Sequence, residues 1–242
     1  MKKYIKILDK RKIFFINSIN QKIYFLFGLI TLVCIFVDFK FQSSNLAIPF
    51  IITTLMSSVI TFLGIPKLNK IKIKQIIREE GPKKHFIKKG TPTMGGIFFI
   101  PIAIIITNIL YFNKDDYKII LALSFLVTFF MFIGFIDDFL SFKKQFNTGL
   151  TSNQKLLLQL FISLIFIIIC ASNNLIPHNI QIANKFFDIG NLIYPLGIFV
   201  LLAESNSTNL TDGLDGLLGG CSILIFTGLA SSILIENPSN NL

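Results

Sequence analysis

The sequence predicts an all-α protein, a polytopic bundle of membrane helices. Three observations support this class: 52% of the 242 residues are hydrophobic, only 15% are charged, and the mean hydropathy is +0.69. An ordinary soluble domain has about 25% charged residues, so this chain is too apolar for that class. Its apolar residues occur in long runs without single-residue alternation, which is not the pattern of a membrane β-barrel.

Seven apolar runs reach or approach the length of a membrane-spanning helix. A helix needs about 20 mostly apolar residues to cross a hydrocarbon core of roughly 30 Å, because its backbone groups must pair within the segment. The predicted helices are residues 23–37, 46–65, 96–112, 119–136, 156–172, 189–203 and 217–235. The sixth is expected to continue as helix past Glu204. We expect residues 1–242 to form a single integral membrane domain.

The distribution of Lys and Arg predicts which loops face the cytoplasm, where membrane proteins accumulate these residues. With a cytoplasmic N-terminus, nineteen Lys and Arg residues lie inside and four lie outside. Segments 66–95, 137–155 and 204–216 then face the cytoplasm and are predicted to be site-forming loops. Attraction to anionic lipid heads explains the net charge of +10, so no nucleic acid partner is predicted.

Two adjacent carboxylates, Asp137 and Asp138, follow the fourth apolar run. An ionisable group at this depth is costly near lipid and is a candidate functional residue. Paired carboxylates suit Mg²⁺, which takes oxygen ligands and is usually shared between one or two carboxylates and substrate phosphates. The alternative interpretation is that the pair only terminates the helix and is solvated.

A polar segment, SNSTNLTDGLDGLLGG at residues 205–220, separates the sixth and seventh runs. Asp212 and Asp215 are three residues apart, so on a helix they share one face and point together toward Asp137 and Asp138. The alternative is an Asx-turn in which Asn209 or Asp212 caps the seventh helix.

A Gly-Thr-Pro loop, GTPTMGG at residues 90–96, leads directly into the third predicted helix. Such a loop exposes backbone N–H groups beside a helix N-terminus, which is a natural place for phosphate. Four lysines at positions 83, 84, 88 and 89 favour that interpretation. The alternative is a simple connection between helices.

The stretches GPKKHFIKKGTPTMGG, GFIDDF and NSTNLTDGLDGL, in this order, resemble the motifs of the phospho-N-acetylmuramoyl-pentapeptide transferases. This MraY family belongs to the polyprenyl-phosphate sugar-1-phosphate transferases. The resemblance implies transfer of phospho-MurNAc-pentapeptide from UDP-MurNAc-pentapeptide to undecaprenyl phosphate, with Mg²⁺ as cofactor and release of UMP. It also implies a multi-pass protein of the bacterial inner membrane with a cytoplasmic active site, acting in peptidoglycan synthesis and so in cell shape and cell division. A homodimer is a further partner that the resemblance allows.

The resemblance also assigns roles to individual residues. The implied catalytic residues are Asp137, Asp138, Asp212 and Asn209, and the three aspartates are the implied metal ligands. The implied substrate-binding residues are Lys88, Thr93, Lys155, Asn206, Gly213, Leu214 and Asp215. Asp137 is the family's usual candidate for activating the lipid phosphate.

The family pattern continues past the last residue of this chain with a Gly-Asp magnesium ligand, a His-rich loop and further helices. We therefore expect the chain to be the N-terminal two-thirds of such an enzyme and to be inactive alone. Two other functions stay open. One is a polyprenyl-phosphate sugar-1-phosphate transferase that uses UDP-GlcNAc, and the other is an inactive membrane fragment or cation-binding helix bundle.

Overall fold

The computed structural model describes residues 25, 27–39, 47–70, 93–114, 117–144, 149–182, 185–212 and 216–236. These residues form seven α-helices, a two-stranded antiparallel sheet and a short 3-10 helix. The α-helices are α1 (Phe27–Phe39), α2 (Ala47–Lys70), α3 (Gly96–Tyr111), α4 (Tyr117–Lys144), α5 (Ser152–Ser172), α6 (Ile193–Thr211) and α7 (Leu217–Glu236). The strands are β1 (Asn179–Ile182) and β2 (Lys185–Asp188), and the 3-10 helix is Gly190–Leu192. The predicted all-α class is confirmed.

Three helices in the described residues, α2, α4 and α5, are long and apolar enough to cross a membrane. Helices α1, α3 and α7 contain shorter apolar stretches. Many large apolar side chains on these helices are exposed, such as Phe62 at 77% and Phe161 at 62%. A helix that is apolar all round fits a lipid environment better than water. The membrane helix bundle is thus confirmed, whereas the count of seven spans stays a prediction.

The chain divides into two compact units. One lies within residues 1–54 and 227–242, and the other is Leu55–Phe226. In the first unit, the rings of Phe27 and Phe50 stack with their centroids 5.7 Å apart. The backbone N–H of Ala47 donates to the Asp38 carboxylate over 2.9 Å and so ties the start of α2 to α1. The described candidate site residues all belong to the second unit.

In the second unit, α3, α4, α5 and α6 pack in chain order, each against the next. The short connections from α3 to α4 and from α4 to α5 favour packing of chain neighbours, whereas α5 and α6 are joined by the segment that contains the two strands. Polar side chains join α3 to α4, where Asn108 Nδ2 donates to Ser124 Oγ over 2.7 Å. An apolar cluster joins the end of α2 to α4, with buried Leu68 and Met94 packed against Phe135 and Phe142. Met94 of this cluster also donates its backbone N–H to Asp138.

All three segments predicted as loops are partly helical. Helix α2 runs past Ile65 to Lys70, with Pro66 inside it. Helix α4 continues to Lys144, so Asp137 and Asp138 lie within a helix and do not end it. Lys143 and Lys144 occupy its last turn, where cations stabilise the helix dipole. Helix α6 passes Glu204, as expected, and extends to Thr211. Its polar residues are compatible with a helix because Ser207 and Thr211 donate to carbonyls of the preceding turn.

Candidate active site

The carboxylate of Asp137 is bonded through both oxygens. Its Oδ1 accepts the backbone N–H of Leu150 over 2.8 Å, and its Oδ2 lies 3.1 Å from Lys155 Nζ. The side chains of Lys155 and Asp137 are only 19% and 25% exposed, so solvent screens this ion pair less than a surface pair. Asp137 therefore ties α4 to the first turn of α5.

The loop between α4 and α5 packs directly against Asp137. A Cβ atom at Gly149 would overlap the carbonyl oxygen of Asp137 and lie 2.6 Å from its Oδ1, so only glycine fits. Lys144 Nζ donates to the carbonyl of Gly149 over 2.8 Å. Helix α5 then begins with a capping box, in which Thr151 and Gln154 satisfy each other's backbone N–H groups. Gly149 and the two residues that follow it are therefore held in place.

The Asp138 carboxylate faces the start of α3. Its Oδ2 accepts the backbone N–H of Met94 over 3.2 Å, while its Oδ1 accepts no hydrogen bond from the described part of the chain. Met94 has φ of 68°, a left-handed conformation, and is followed by α3 from Gly96. The expectation that this loop leads directly into the third helix is confirmed, and half-buried Thr93 lies at its end. Phosphate binding there stays a prediction.

Asp212 brings a third carboxylate toward this position. It follows the last residue of α6, is exposed, and donates its N–H to the carbonyl of Thr208 over 3.2 Å. Its charge acts on Asp138, as do those of Asp137 and Lys155. The negative charges of Asp137 and Asp212 thus repel that of Asp138, and Lys155 offsets part of this repulsion. A bound cation would relieve it further.

The structure does not support the alternative in which a residue at the polar end of α6 caps α7. Asn209 lies in the last turn of α6 and is exposed. Helix α7 begins at Leu217, so neither Asn209 nor Asp212 caps it. Four of the seven predicted substrate-binding residues lie outside the described residues: Lys88, Gly213, Leu214 and Asp215. The predicted alignment of Asp212 with Asp215 on one helix face is therefore not described, although Asp212 itself lies just past a helix end.

The predicted set of Mg²⁺ ligands, Asp137, Asp138 and Asp212, stays a prediction. Among the described residues, no group of three or more His, Cys, Asp or Glu side chains is arranged to hold a metal ion. Mg²⁺ does not require such a group, because one or two carboxylates and substrate phosphates are its usual ligands. Asp138 has an oxygen for this role, whereas both oxygens of Asp137 are engaged.

A buried polar network, missed by the sequence analysis, holds α6 against α5. Gln159 is 1% exposed and donates from Nε2 to Ser205 Oγ over 2.9 Å. Its Oε1 accepts from Asn206 Nδ2 over 3.0 Å, and the same Nδ2 donates to the carbonyl of Leu202. Asn206, predicted to bind substrate, thus uses its amide N–H groups between the helices. The sequence feature that could have predicted this network is the pair Gln159 and Ser163, two polar residues one turn apart in an apolar helix.

Removing the Ser205 hydroxyl should destabilise this contact. Ser205→Ala leaves the buried Nε2 of Gln159 without an acceptor, which we expect to lower the free energy of unfolding by about 1 kcal/mol. Ser207→Ala is the matched control, because its exposed hydroxyl only bonds to Glu204 of its own helix. Thermal unfolding of both variants in detergent measures the difference. Equal losses of stability would show that the Gln159 contact contributes nothing specific.

Comparison with known proteins identifies the family. The family model described as Glycosyl transferase family 4 matches residues 120–241, half of the chain. The chain belongs to glycosyl transferase family 4. The matched stretch includes Asp137, Asp138, Lys155 and Asp212. Residues 88–100 also match the Phospho-N-acetylmuramoyl-pentapeptide-transferase signature 1, which covers Lys88, Thr93 and the start of α3.

Three curated relatives, each named phospho-N-acetylmuramoyl-pentapeptide-transferase, agree with this assignment. One from Prochlorococcus marinus strain NATL2A is 77% identical over 241 residues, covering 100% of this chain and 65% of the relative. One from Prochlorococcus marinus strain SARG is 43% identical over 99% of this chain and 65% of the relative. One from Synechococcus strain CC9311 is 42% identical over 82% of this chain and 54% of the relative. The resemblance to this branch of the glycosyl transferase family is confirmed, and the chain spans 65% of the length of the first two relatives.

Proposed function

We propose that this chain forms the larger part of a membrane transferase that moves phospho-MurNAc-pentapeptide from its UDP carrier to undecaprenyl phosphate. The main support for the proposal is a group of polar contacts near one end of α4. There Asp138 accepts the Met94 N–H, and Asp137 pairs with Lys155. The chain's relatives carry the name of this transferase. The identity of the donor, the identity of the acceptor and the role of each residue are what we propose here.

The proposed reaction is a phosphoryl transfer. An oxygen of the lipid phosphate attacks the β-phosphorus of the nucleotide sugar and forms a new P–O bond. The bond from that phosphorus to the bridging oxygen breaks, and the electron pair leaves with UMP. Such a reaction requires mainly positioning and neutralisation of charge. Lys155 supplies a cation for the phosphates, and Asp137 fixes its ammonium group at 3.1 Å.

Mg²⁺ is the proposed cofactor, and it would neutralise phosphate charge when bound. Asp138 would hold it through Oδ1, with Asp212 as the second carboxylate. The Met94 N–H fixes the other oxygen of Asp138 and so restricts its rotation. Under this assignment Asp137 is a positioning residue, since both of its oxygens already have partners.

The location of the site supports a lipid acceptor. Asp137 and Asp138 lie near the end of α4, a helix long and apolar enough to cross a membrane. A water-soluble nucleotide sugar and a lipid phosphate meet at such a position. The excess of nineteen Lys and Arg residues over four favours the cytoplasmic face for this end, in the bacterial inner membrane.

A donor panel tests the proposed function. The test protein is the NATL2A relative in which residues 1–242 of this chain replace the matching stretch. We call this protein the completed transferase. In vesicles with undecaprenyl phosphate and Mg²⁺, we expect UMP release from UDP-MurNAc-pentapeptide and none from UDP-GlcNAc. The unmodified relative is the control for assembly and assay. Release from UDP-GlcNAc alone would move the chain to the other donor class, and no release from either donor would contradict the proposal.

A further inference from the structure

The β-hairpin between α5 and α6 has two different faces. Its register places Ile180 opposite Phe187 and Ile182 opposite Lys185. Paired residues of an antiparallel ladder share a face, and successive residues alternate between faces. The apolar hairpin face therefore consists of Ile180, Ile182 and Phe187, with Lys185 at its end.

The opposite hairpin face is mostly polar. The second set of pairs joins Asn179 to Asp188 and Gln181 to Phe186. Three of these four residues are polar, whereas three of the four on the first face are apolar. The exception on the polar face is Phe186, which is 72% exposed. This pattern is typical of a sheet with one face toward water and one face covered.

The described parts of the chain leave the apolar hairpin face largely uncovered. Ile182 is 59% exposed and Phe187 is 48% exposed. Leu192, in the 3-10 helix that follows the hairpin, is 68% exposed as well. Exposed apolar side chains grouped on one face are typical of a surface that contacts another apolar phase.

The hairpin is held close to the ends of two helices. Helix α5, long and apolar enough to cross a membrane, ends at Ser172, and the chain turns at once because the N–H of Leu175 donates to the carbonyl of Cys170 over 2.9 Å. At the base of the hairpin, the N–H of Ile189 donates to the carbonyl of His178 over 3.0 Å. The His178 ring packs edge-to-face on Tyr194 in the first turn of α6, with centroids 5.7 Å apart. The base of the hairpin therefore lies next to the end of α5 and the start of α6.

We propose that the apolar hairpin face rests on the bilayer surface beside α5 and α6. The bilayer is the apolar phase that is present at this level, and it is in reach without any other protein. Phe187 and Ile182 would lie at the boundary of the acyl chains. Lys185, at the end of the same face, would extend its ammonium group to the lipid phosphates, as lysines at membrane interfaces do. The polar face with Gln181 and Asp188 stays in water.

Single-tryptophan fluorescence tests this proposal in the full chain. The sequence contains no tryptophan, so Phe187→Trp and Gln181→Trp each introduce one fluorophore, on opposite hairpin faces. Each variant is reconstituted in vesicles with or without brominated lipids, and acrylamide is the aqueous quencher. Phe161→Trp, at an exposed position of α5, is the control for lipid contact. Retained helix content by circular dichroism checks that each variant is folded.

We expect brominated lipid to quench F187W several-fold more strongly than Q181W, with a blue-shifted emission for F187W. Acrylamide should show the opposite order. Equal quenching of the two variants by acrylamide, with none by brominated lipid, would place both faces in water and overturn the proposal. Protection of F187W from both quenchers would show that a protein surface, such as a second copy of this chain, covers the face, and would also overturn it.

Discussion

Replacing Asp138 with asparagine is expected to lower the turnover of the completed transferase by about 10²- to 10³-fold, the cost of removing one electrostatic stabiliser. Asparagine keeps the size of the side chain, and its amide oxygen still accepts the Met94 N–H. The variant loses the negative charge that is proposed to hold Mg²⁺. The Mg²⁺ concentration needed for half of the remaining activity should rise as well, which a purely structural defect does not predict.

Asp188→Asn is the matched control for this experiment. The Asp188 carboxylate also accepts a backbone N–H, that of Gly190, over 2.8 Å, and it lies on the polar hairpin face. We expect its substitution to leave turnover unchanged. Steady-state UMP release at saturating donor, normalised to the amount of inserted protein, measures both variants. If Asp138→Asn kept near-normal turnover, Asp138 would have no part in the transfer.

The membrane helices were predictable because lipid leaves few solutions for an apolar backbone. A run of about 20 apolar residues must satisfy its own hydrogen bonds, so helices such as α4 and α5 follow from hydropathy alone. Their ends were less predictable. Helix α4 runs eight residues past Ile136, because polar side chains such as Lys144 are compatible with a helix that has left the apolar phase. The hairpin was missed, since four-residue strands are too short for a reliable pattern.

The site was predictable as a set of residues and not as a set of contacts. Two charges after an apolar run drew attention to Asp137 and Asp138, and the resemblance added Lys155. The different roles proposed for the two aspartates depend on tertiary contacts, because only Asp137 is bonded to Leu150 and Lys155. Nothing in the local pattern indicates which of two neighbouring carboxylates a later loop will contact. The structure supplies that distinction.

Gly149→Ala is expected to lower the turnover of the completed transferase by about 10²-fold, the cost of misplacing a reacting group by roughly 1 Å. The added Cβ would overlap the Asp137 carbonyl oxygen, which belongs to the backbone of α4 and cannot move aside cheaply. The loop must shift instead. That shift lengthens the Leu150 bond to Asp137 and moves Lys155, which lies in the first turn of the helix that follows the loop.

Gly134→Ala is the matched control, because Gly134 lies one turn before Asp138 in α4 and a Cβ there meets no atom within 4 Å. It should leave turnover unchanged, or raise stability slightly, since alanine favours helix over glycine. Comparing the turnover of the two variants distinguishes an effect on the site from a general effect on stability. If the loop acts by positioning Lys155, then Lys155→Met should lower turnover strongly, and Gly149→Ala should add little to the loss in that background. Full additivity of the two substitutions would show that Gly149 acts on turnover by another route than Asp137 and Lys155.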